Sequence, residues 1–251
     1  MNRFMQSIAV PGFLGSTRLG RLRAIIQENE DIDTVVNAFL DLYPDQLDPI
    51  DLVASMAKKG YILRAELARG GMSLIYEIYN EKLERTEALK LLCASTASEI
   101  PEARTRFERE IKVLRRVRDS FLEGKKDLKD FKVLPCPSIY EDFETDKKGM
   151  CYTMERLSGE TLYECVSTRG GMDIETALQV IKGITQVFMR IHKKGIVHRD
   201  VKPSNIFMTD EPSRYVLLDF GVAAVDYALA VSKRGEPISE RTRSPINKAW
   251  R

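Results

Sequence analysis

The segment His198-Arg199-Asp200-Val201-Lys202-Pro203-Ser204-Asn205 runs into Ile206-Phe207, and Asp219-Phe220-Gly221 follows the strand-like run Tyr215-Val216-Leu217-Leu218. This pattern constrains the chain more than any other. It places a carboxylate, an ammonium and an amide within a few positions, then a second carboxylate after one strand. Amide and carboxylate oxygens are the hard donors that magnesium prefers. Phosphoryl transfer is mostly positioning and charge neutralisation. It needs a carboxylate to accept a hydrogen bond from the attacking hydroxyl, oxygen ligands for a metal, and a cation near the moving phosphoryl group. Asp200, Asn205 with Asp219, and Lys202 supply these in turn. An isolated His-Arg-Asp recurs by chance, but the whole constellation at this spacing does not.

The set resembles the protein kinase family, and lysine two places after the aspartate is the form of its Ser/Thr members. The resemblance implies that Asp200 is the catalytic base, with Lys202 beside it, and that Asn205 and Asp219 bind Mg2+. His198 and Phe220 would be packing residues of the spine that aligns two lobes. The implied activity is Ser/Thr protein kinase: transfer of the ATP γ-phosphate to a hydroxyl of a protein substrate. A small-molecule kinase is a more distant reading, because Lys202-Pro203-Ser204-Asn205 favours protein substrates.

The same resemblance extends upstream. Leu67-Ala68-Arg69-Gly70-Gly71-Met72-Ser73-Leu74-Ile75-Tyr76 lies where the family's glycine-rich loop would cover the nucleotide. The pattern G-x-G-x-x-G falls on Ala68, Gly70 and Ser73, so only the middle glycine is kept, with Gly71 restoring some freedom. The loop's role is close approach of backbone amides to phosphates, and the two departures cost about 1 kcal/mol at most. Lys90, in Glu87-Ala88-Leu89-Lys90, matches the lysine that reaches the α- and β-phosphates. Glu110 matches its ion-pair partner, because Phe107, Ile111 and Leu114 set the apolar side of that helix beside it. Glu108, Arg109, Lys112, Arg115 and Arg116 read as a solvated face. Met154 would guard the back of the adenine pocket, the backbones of Glu155 and Leu157 would pair with adenine, and Ile75, Ala88 and Phe207 would sandwich the ring. Thr161 would reach the ribose. The style of Gly70-Gly71-Met72-Ser73 with Ala88-Leu89-Lys90 is similar to bacterial Ser/Thr kinases of the eukaryotic type.

Patterning agrees with an α+β fold. In the first sixty residues Ile25, Ile26, Ile32, Val35, Val36, Phe39 and Leu40 fall near helical spacing. Asp31 or Asp33 is placed to cap a helix, Tyr43-Pro44-Asp45 interrupts, and a second helix runs from Pro49 to about Lys58 before Gly60. No chemical motif occurs there, and a helical extension packed on the next domain is expected, with a regulatory or docking element as the alternative. Strands are predicted at Tyr61-Ile62-Leu63, Leu74–Tyr79 and Ala88–Leu92, the last buried on both sides. A helix follows from Pro101 to about Arg118, then a hairpin of Ser138–Phe143 and Met150–Met154 turned at Thr145–Gly149. After Leu157-Ser158-Gly159 the residues Ile174, Leu178, Ile181, Ile184, Phe188 and Ile191 mark one apolar face of a helix ending at Gly195. The expected architecture is a protein-kinase-like two-lobe fold with a five-stranded N-lobe plus helix and an incomplete helical C-lobe. Its expected parts are a helical extension (1–60), the N-lobe (61–156), a partial C-lobe (157–221), and a truncated activation segment or basic tail (222–251).

Beyond Gly221 the family pattern stops, with no A-P-E sequence. Lys233, Arg234, Arg241, Arg243, Lys248 and Arg251 outnumber Glu236 and Glu240 there, which predicts a mobile basic tail. Ser239, Thr242 and Ser244 are its candidate phosphorylation sites. The family's lower helices support the catalytic loop, and without them half of the six apolar residues of the 174–191 helix would lose cover. At roughly 1.5–3 kcal/mol per side chain this costs about 5–9 kcal/mol, comparable with the stability of a whole domain, about 5–15 kcal/mol. The expectation is therefore a truncated kinase, either a gene fragment or shortened chain or a domain completed by a partner chain or a missing region, with cover of the exposed face by the amino-terminal helices as the alternative. The competing reading is a nucleotide-binding pseudoenzyme or scaffold.

Composition narrows the remaining classes. The chain of 251 residues is 43% hydrophobic and 30% charged with net charge +2, which gives no bulk electrostatic case for a nucleic-acid partner. Cys93, Cys136, Cys151 and Cys165 form no C-x-x-C pair and the chain has 2 histidines, so a zinc site is not expected and reduced thiols are. No apolar run approaches a membrane span of about 20 residues. Met1–Leu14, interrupted by Pro11-Gly12, is a poor signal peptide. A cytoplasmic location is expected.

Overall fold

Four helices form from the first sixty residues: α1 (Asn2–Ile8), α2 (Ser16–Glu28), α3 (Ile32–Leu42) and α4 (Leu47–Lys59). Asp31 sets the boundary between α2 and α3. Its carboxylate accepts from the Thr34 backbone N–H at 2.8 Å and from the Thr34 hydroxyl at 2.9 Å, capping α3. Gly60, at φ +95°, lets the chain leave α4 for the first strand. The computed structural model describes residues 1–11, 13–28, 31–43, 47–70, 73–92, 100–122, 135–211 and 214–225. Gly71, Cys93 and the basic tail with Ser239, Thr242 and Ser244 lie outside them.

The chain packs into two compact units, Met1–Thr105 with Tyr140–Arg156, and Arg106–Ile139 with Leu157–Arg251. The first is built on an antiparallel sheet of β1 (Tyr61–Arg69), β2 (Leu74–Asn80), β3 (Arg85–Leu92), β4 (Ile139–Glu144) and β5 (Met150–Glu155), in the order β1-β2-β3-β5-β4. Side chains alternate between the faces of a strand. On β3, Leu89 and Leu91 therefore oppose Ala88 and Lys90. Leu89 and Leu91 join Leu63, Tyr76, Ile78 and Cys151 in one core with Phe4, Ile8, Phe39, Ile50 and Met56 of the helices. The first sixty residues are thus a layer packed on the sheet, and the two share a core.

Several polar groups buried in that packing have partners. The Ser7 hydroxyl accepts from the Leu63 N–H at 2.9 Å. Asp51 accepts from the Lys147 N–H at 3.1 Å, and Ser55 Oγ accepts from the Asp146 N–H at 3.1 Å, so α4 holds the β4–β5 turn by its backbone. Lys58 adds ion pairs to Asp33 at 2.6 Å and Asp146 at 2.8 Å. Burial raises the Asp51 carboxyl above its ordinary range despite bonds from Thr145 and Lys147.

Helix α5 (Pro101–Leu122) leads into the second unit, with Phe107, Ile111 and Leu114 buried and Arg109, Lys112 and Arg115 exposed, as the periodicity predicts. After β6 (Gly159–Thr161) come α6 (Leu162–Arg169), α7 (Ile174–His192), β7 (Ile196–Val197), a single 3₁₀ turn (Pro203–Asn205), β8 (Ile206–Thr209), β9 (Tyr215–Leu217) and β10 (Ala224–Val225). Strands β6, β8 and β9 form one small sheet, and β10 pairs with β7 in another.

The buried face of α7 differs from the stripe expected from sequence. Ile174 is 80% exposed, and Leu178 and Ile181 are each 61% exposed, whereas Val180, Val187 and Ile191 are buried. The helix is apolar around much of its circumference, so spacing alone offers two stripes. Packing on β7 and β9 selects the one that contains Val180 and Val187. Gly183 permits that packing: a Cβ added there would lie 2.2 Å from the Tyr215 ring.

Candidate phosphotransfer site

In the second unit a turn of 3₁₀ helix folds the loop after β7 back on itself. Lys202 Nζ lies 2.7 Å from Asp200 Oδ2. Asn205 Nδ2 donates to the same oxygen at 3.0 Å and to the Asp200 carbonyl at 2.9 Å. The hydrogen bond from Lys202 is the largest influence holding the Asp200 carboxyl below its ordinary pKa; the lysine's charge and the Asn205 bond act in the same direction, against desolvation. The reciprocal bond raises Lys202. Near neutral pH the pair is therefore an ionised carboxylate beside an ammonium, with about a third of the carboxylate side chain open to solvent.

Asp219 is placed by contacts running back to this loop. The Leu218 N–H donates to the Asn205 carbonyl at 2.9 Å, and His198 Nε2 lies 2.8 Å from the Leu218 carbonyl. The Asp200 N–H donates to His198 Nδ1 at 3.3 Å, which leaves Nε2 to donate to the Leu218 carbonyl. Phe220 is fully buried and meets His198 edge-on, with ring centroids 4.7 Å apart. Arg199 and Asp219 both adopt positive φ, +68° and +58°. Non-glycine residues in that region are strained and persist where neighbours over-determine them.

The donor set suits magnesium. Asn205 spends its amide nitrogen on Asp200, which leaves its oxygen. Asp219 Oδ1 accepts from the Gly221 N–H at 3.2 Å, and its second oxygen is a further hard donor. A site with few protein oxygens is the kind in which magnesium keeps waters or phosphate oxygens as its other ligands.

The remaining nominated residues divide between the units. In the first, Ile75 stands opposite Lys90, and Ala88 opposite Met154, across the β2–β3 and β3–β5 ladders. Opposed and alternate positions share a face, so Ile75, Ala88, Lys90 and Met154 lie together on the side of the sheet away from the helical layer. Leu67, 37% exposed, is near the end of β1. The Gly70 N–H donates to the Ser73 carbonyl at 2.8 Å, closing the β1–β2 turn. Glu155 ends β5, with its side chain on the face of Glu87. In the second unit Glu110 is buried on α5, Leu157 is buried after β5, and Phe207 is half-buried on β8 opposite Thr161. Thr161 has work of its own. Its hydroxyl accepts from the Glu164 N–H at 3.1 Å while Glu164 accepts from the Thr161 N–H at 2.8 Å, a capping box that starts α6. That box was legible as Thr-x-x-Glu.

A family model described as the protein kinase domain matches residues 61–230. Among curated proteins, the serine/threonine-protein kinase PknL of Mycobacterium bovis is 28% identical over 188 residues, covering 75% of this chain and 42% of that protein. PknE of the same organism is 32% identical over 165 residues, covering 65% of this chain and 26% of PknE. The serine/threonine-protein kinase pkn2 of Myxococcus xanthus is 33% identical over 176 residues, covering 67% of this chain and 19% of its own length. The chain thus spans less than half of each of these relatives. A solved kinase-domain crystal structure matches the fold with a TM-score of 0.55 at 17% identity, over 66% of this chain and 52% of that one. No helix among the described residues is long and apolar enough to cross a membrane.

Proposed function

The chain belongs to the protein kinase family, and from that premise we propose that it is a Ser/Thr protein kinase that transfers the γ-phosphate of ATP to a hydroxyl of a protein substrate. The observation that carries the reading is the ionised Asp200, held by Lys202 and Asn205 at 2.7 and 3.0 Å. A carboxylate with a lowered pKa is a weak base. That suits a loose transition state, in which the nucleophile keeps its proton until late. Asp200 orients the hydroxyl by accepting its hydrogen bond, then takes the proton as the oxygen bonds to the γ-phosphorus and ADP departs. Lys202 offsets negative charge on the transferred group. Bound magnesium would supply charge neutralisation on the phosphates, with Asn205 and Asp219 as its protein ligands.

On the sheet, Lys90 would hold the α- and β-phosphates, with Glu110 as its ion-pair partner. Leu67, Gly70 and Gly71 would cover the nucleotide. Ile75, Ala88 and Phe207 would flank adenine, Met154 would close the back of its pocket, and the backbones of Glu155 and Leu157 would pair with its edge. The face shared by Ile75, Ala88, Lys90 and Met154 supports this assignment. The cytoplasm, where ATP is available and thiols stay reduced, is the matching location. Cys136, Cys151 and Cys165 are buried and not joined in disulfides.

The test is Asp200→Asn in the full chain, with transfer of labelled γ-phosphate to a generic basic protein measured beside nucleotide binding. We expect transfer to fall by at least about 100-fold, at the level of lost general-base catalysis, with ATP affinity retained. Equal transfer by the variant would overturn the role of Asp200. Nucleotide binding without transfer by the parent chain would favour the scaffold reading.

A further inference from the structure

The Asp219-Phe220-Gly221 turn is held on both sides. Its leading side is tied to the catalytic loop through His198 and Asn205. On its trailing side the Gly221 carbonyl accepts from Arg109 Nη1 at 3.5 Å, a contact between residues far apart in sequence and within one compact unit. Helix α5 lies close enough there that a Cβ on Gly221 would be 3.8 Å from Arg106 Cβ. The Gly221 N–H meanwhile donates to Asp219 Oδ1, so the peptide groups on either side of Gly221 connect a guanidinium on α5 to the carboxylate of Asp219. Asp219 sits at positive φ, a region that aspartate tolerates better than most residues but that still costs energy beside extended backbone, so contacts that hold the turn contribute to its placement. Arg109 itself is largely exposed and fills no core position. Its head group is a planar charged donor that can span to a carbonyl.

We propose that Arg109 is a positioning residue for the metal-binding carboxylate. By holding the Gly221 carbonyl it fixes the turn in which Asp219 presents its free oxygen. Periodicity assigns Arg109 to a solvated face, and nothing in its spacing from Asp219 could reveal the contact. The proposal rests on the kinase reading, since it gives Arg109 a function only if Asp219 holds a metal with nucleotide.

The experiment compares ATP affinity by titration calorimetry in excess Mg2+ and in EDTA, for the full parent chain and for Arg109→Met. The ratio of the two affinities isolates the metal-dependent part of binding. We expect Arg109→Met to reduce that ratio about 3- to 10-fold, as for loss of one long charge-assisted hydrogen bond, with affinity in EDTA unchanged. Arg109→Lys, which keeps a charged donor, should restore at least half of the loss on a logarithmic scale. Arg109→Gln serves as a second uncharged variant should the methionine variant melt early, and the same reduction is expected of it. An unchanged ratio in a folded uncharged variant overturns the proposal, and so does an equal fall with and without metal. A parent chain that shows no metal-dependent gain overturns the kinase reading itself, which separates the two failures.

Discussion

Alanine substitutions along α7 should separate its two apolar faces by stability. Ile191 is fully buried, so Ile191→Ala removes packed atoms and leaves a cavity, at about 2–5 kcal/mol. Leu178 is 61% exposed, so roughly two-fifths of the worth of a fully buried side chain is at stake, about 0.6–1.2 kcal/mol, with no cavity to add. Ile174, 80% exposed, stands to lose about 0.3–0.6 kcal/mol, and alanine recovers a few tenths through its helix propensity. Ile174→Ala should therefore be close to neutral. Urea unfolding of the full chain followed by circular dichroism gives the comparison, read as a shift of midpoint at constant slope. The order expected is Ile191→Ala far below the parent, Leu178→Ala slightly below it, and Ile174→Ala level with it. A loss in Leu178→Ala as large as in Ile191→Ala would refute the reasoning, because it would require the Leu178 side to be covered in solution.

Lys202→Met should move the acid limb of the kcat/KM profile to higher pH, since the hydrogen bond from Lys202 is the first cause of the lowered Asp200 pKa. The same lowering makes a contribution to stability that is present above the unfolded-state pKa of aspartate and is lost as pH falls through the folded-state value; it should shrink in the variant. A limb that stays in place would show that Lys202 does not hold the carboxylate. Gly183→Ala gains about 1 kcal/mol of helix propensity but places a Cβ 2.2 Å from the Tyr215 ring, an overlap worth about 1–3 kcal/mol. The net loss of up to about 2 kcal/mol, measured by thermal or urea unfolding, should turn into a gain when Tyr215 is replaced by leucine; a loss that persists would place the strain elsewhere.

What the sequence made legible was local. Asp200, Lys202 and Asn205 meet through one 3₁₀ turn, so their spacing was enough to bring them together. Ile75, Ala88, Lys90 and Met154 share a sheet face because strand period and hairpin pairing leave little choice. Features set by distant neighbours were not legible. Asp51 and Ser55 look like solvent residues of a short helix, yet they bind the backbone of a turn almost a hundred positions away. The period of α7 fitted two stripes, and packing on β7 and β9, with Tyr215 against Gly183, shows which one is buried. The positive φ of Arg199 has no signature in residue type; Asp219 is of a type enriched in that region, but aspartate is too common elsewhere for this to mark the position.

The exposed stripe on α7 bears directly on the loop of Asp200, because a bare helix face would be expected to leave that loop without support. The contacts argue for a separation of the two. Asn205 holds Asp200 and, through its carbonyl, Leu218; Leu218 holds His198; and His198 holds the Asp200 N–H and packs on Phe220. This ring of bonds closes without Ile174, Leu178 or Ile181. Strand β10 then pairs with β7, Ala224 opposite Val197, so the chain leaving Gly221 is fastened beside the strand that leads into His198. Two strained residues, Arg199 and Asp219, lie within this closed set, where over-determination is greatest. Exposure of the α7 stripe therefore costs burial in the second unit, but the relative placement of Asp200, Asn205 and Asp219 depends on hydrogen bonds that the stripe does not make.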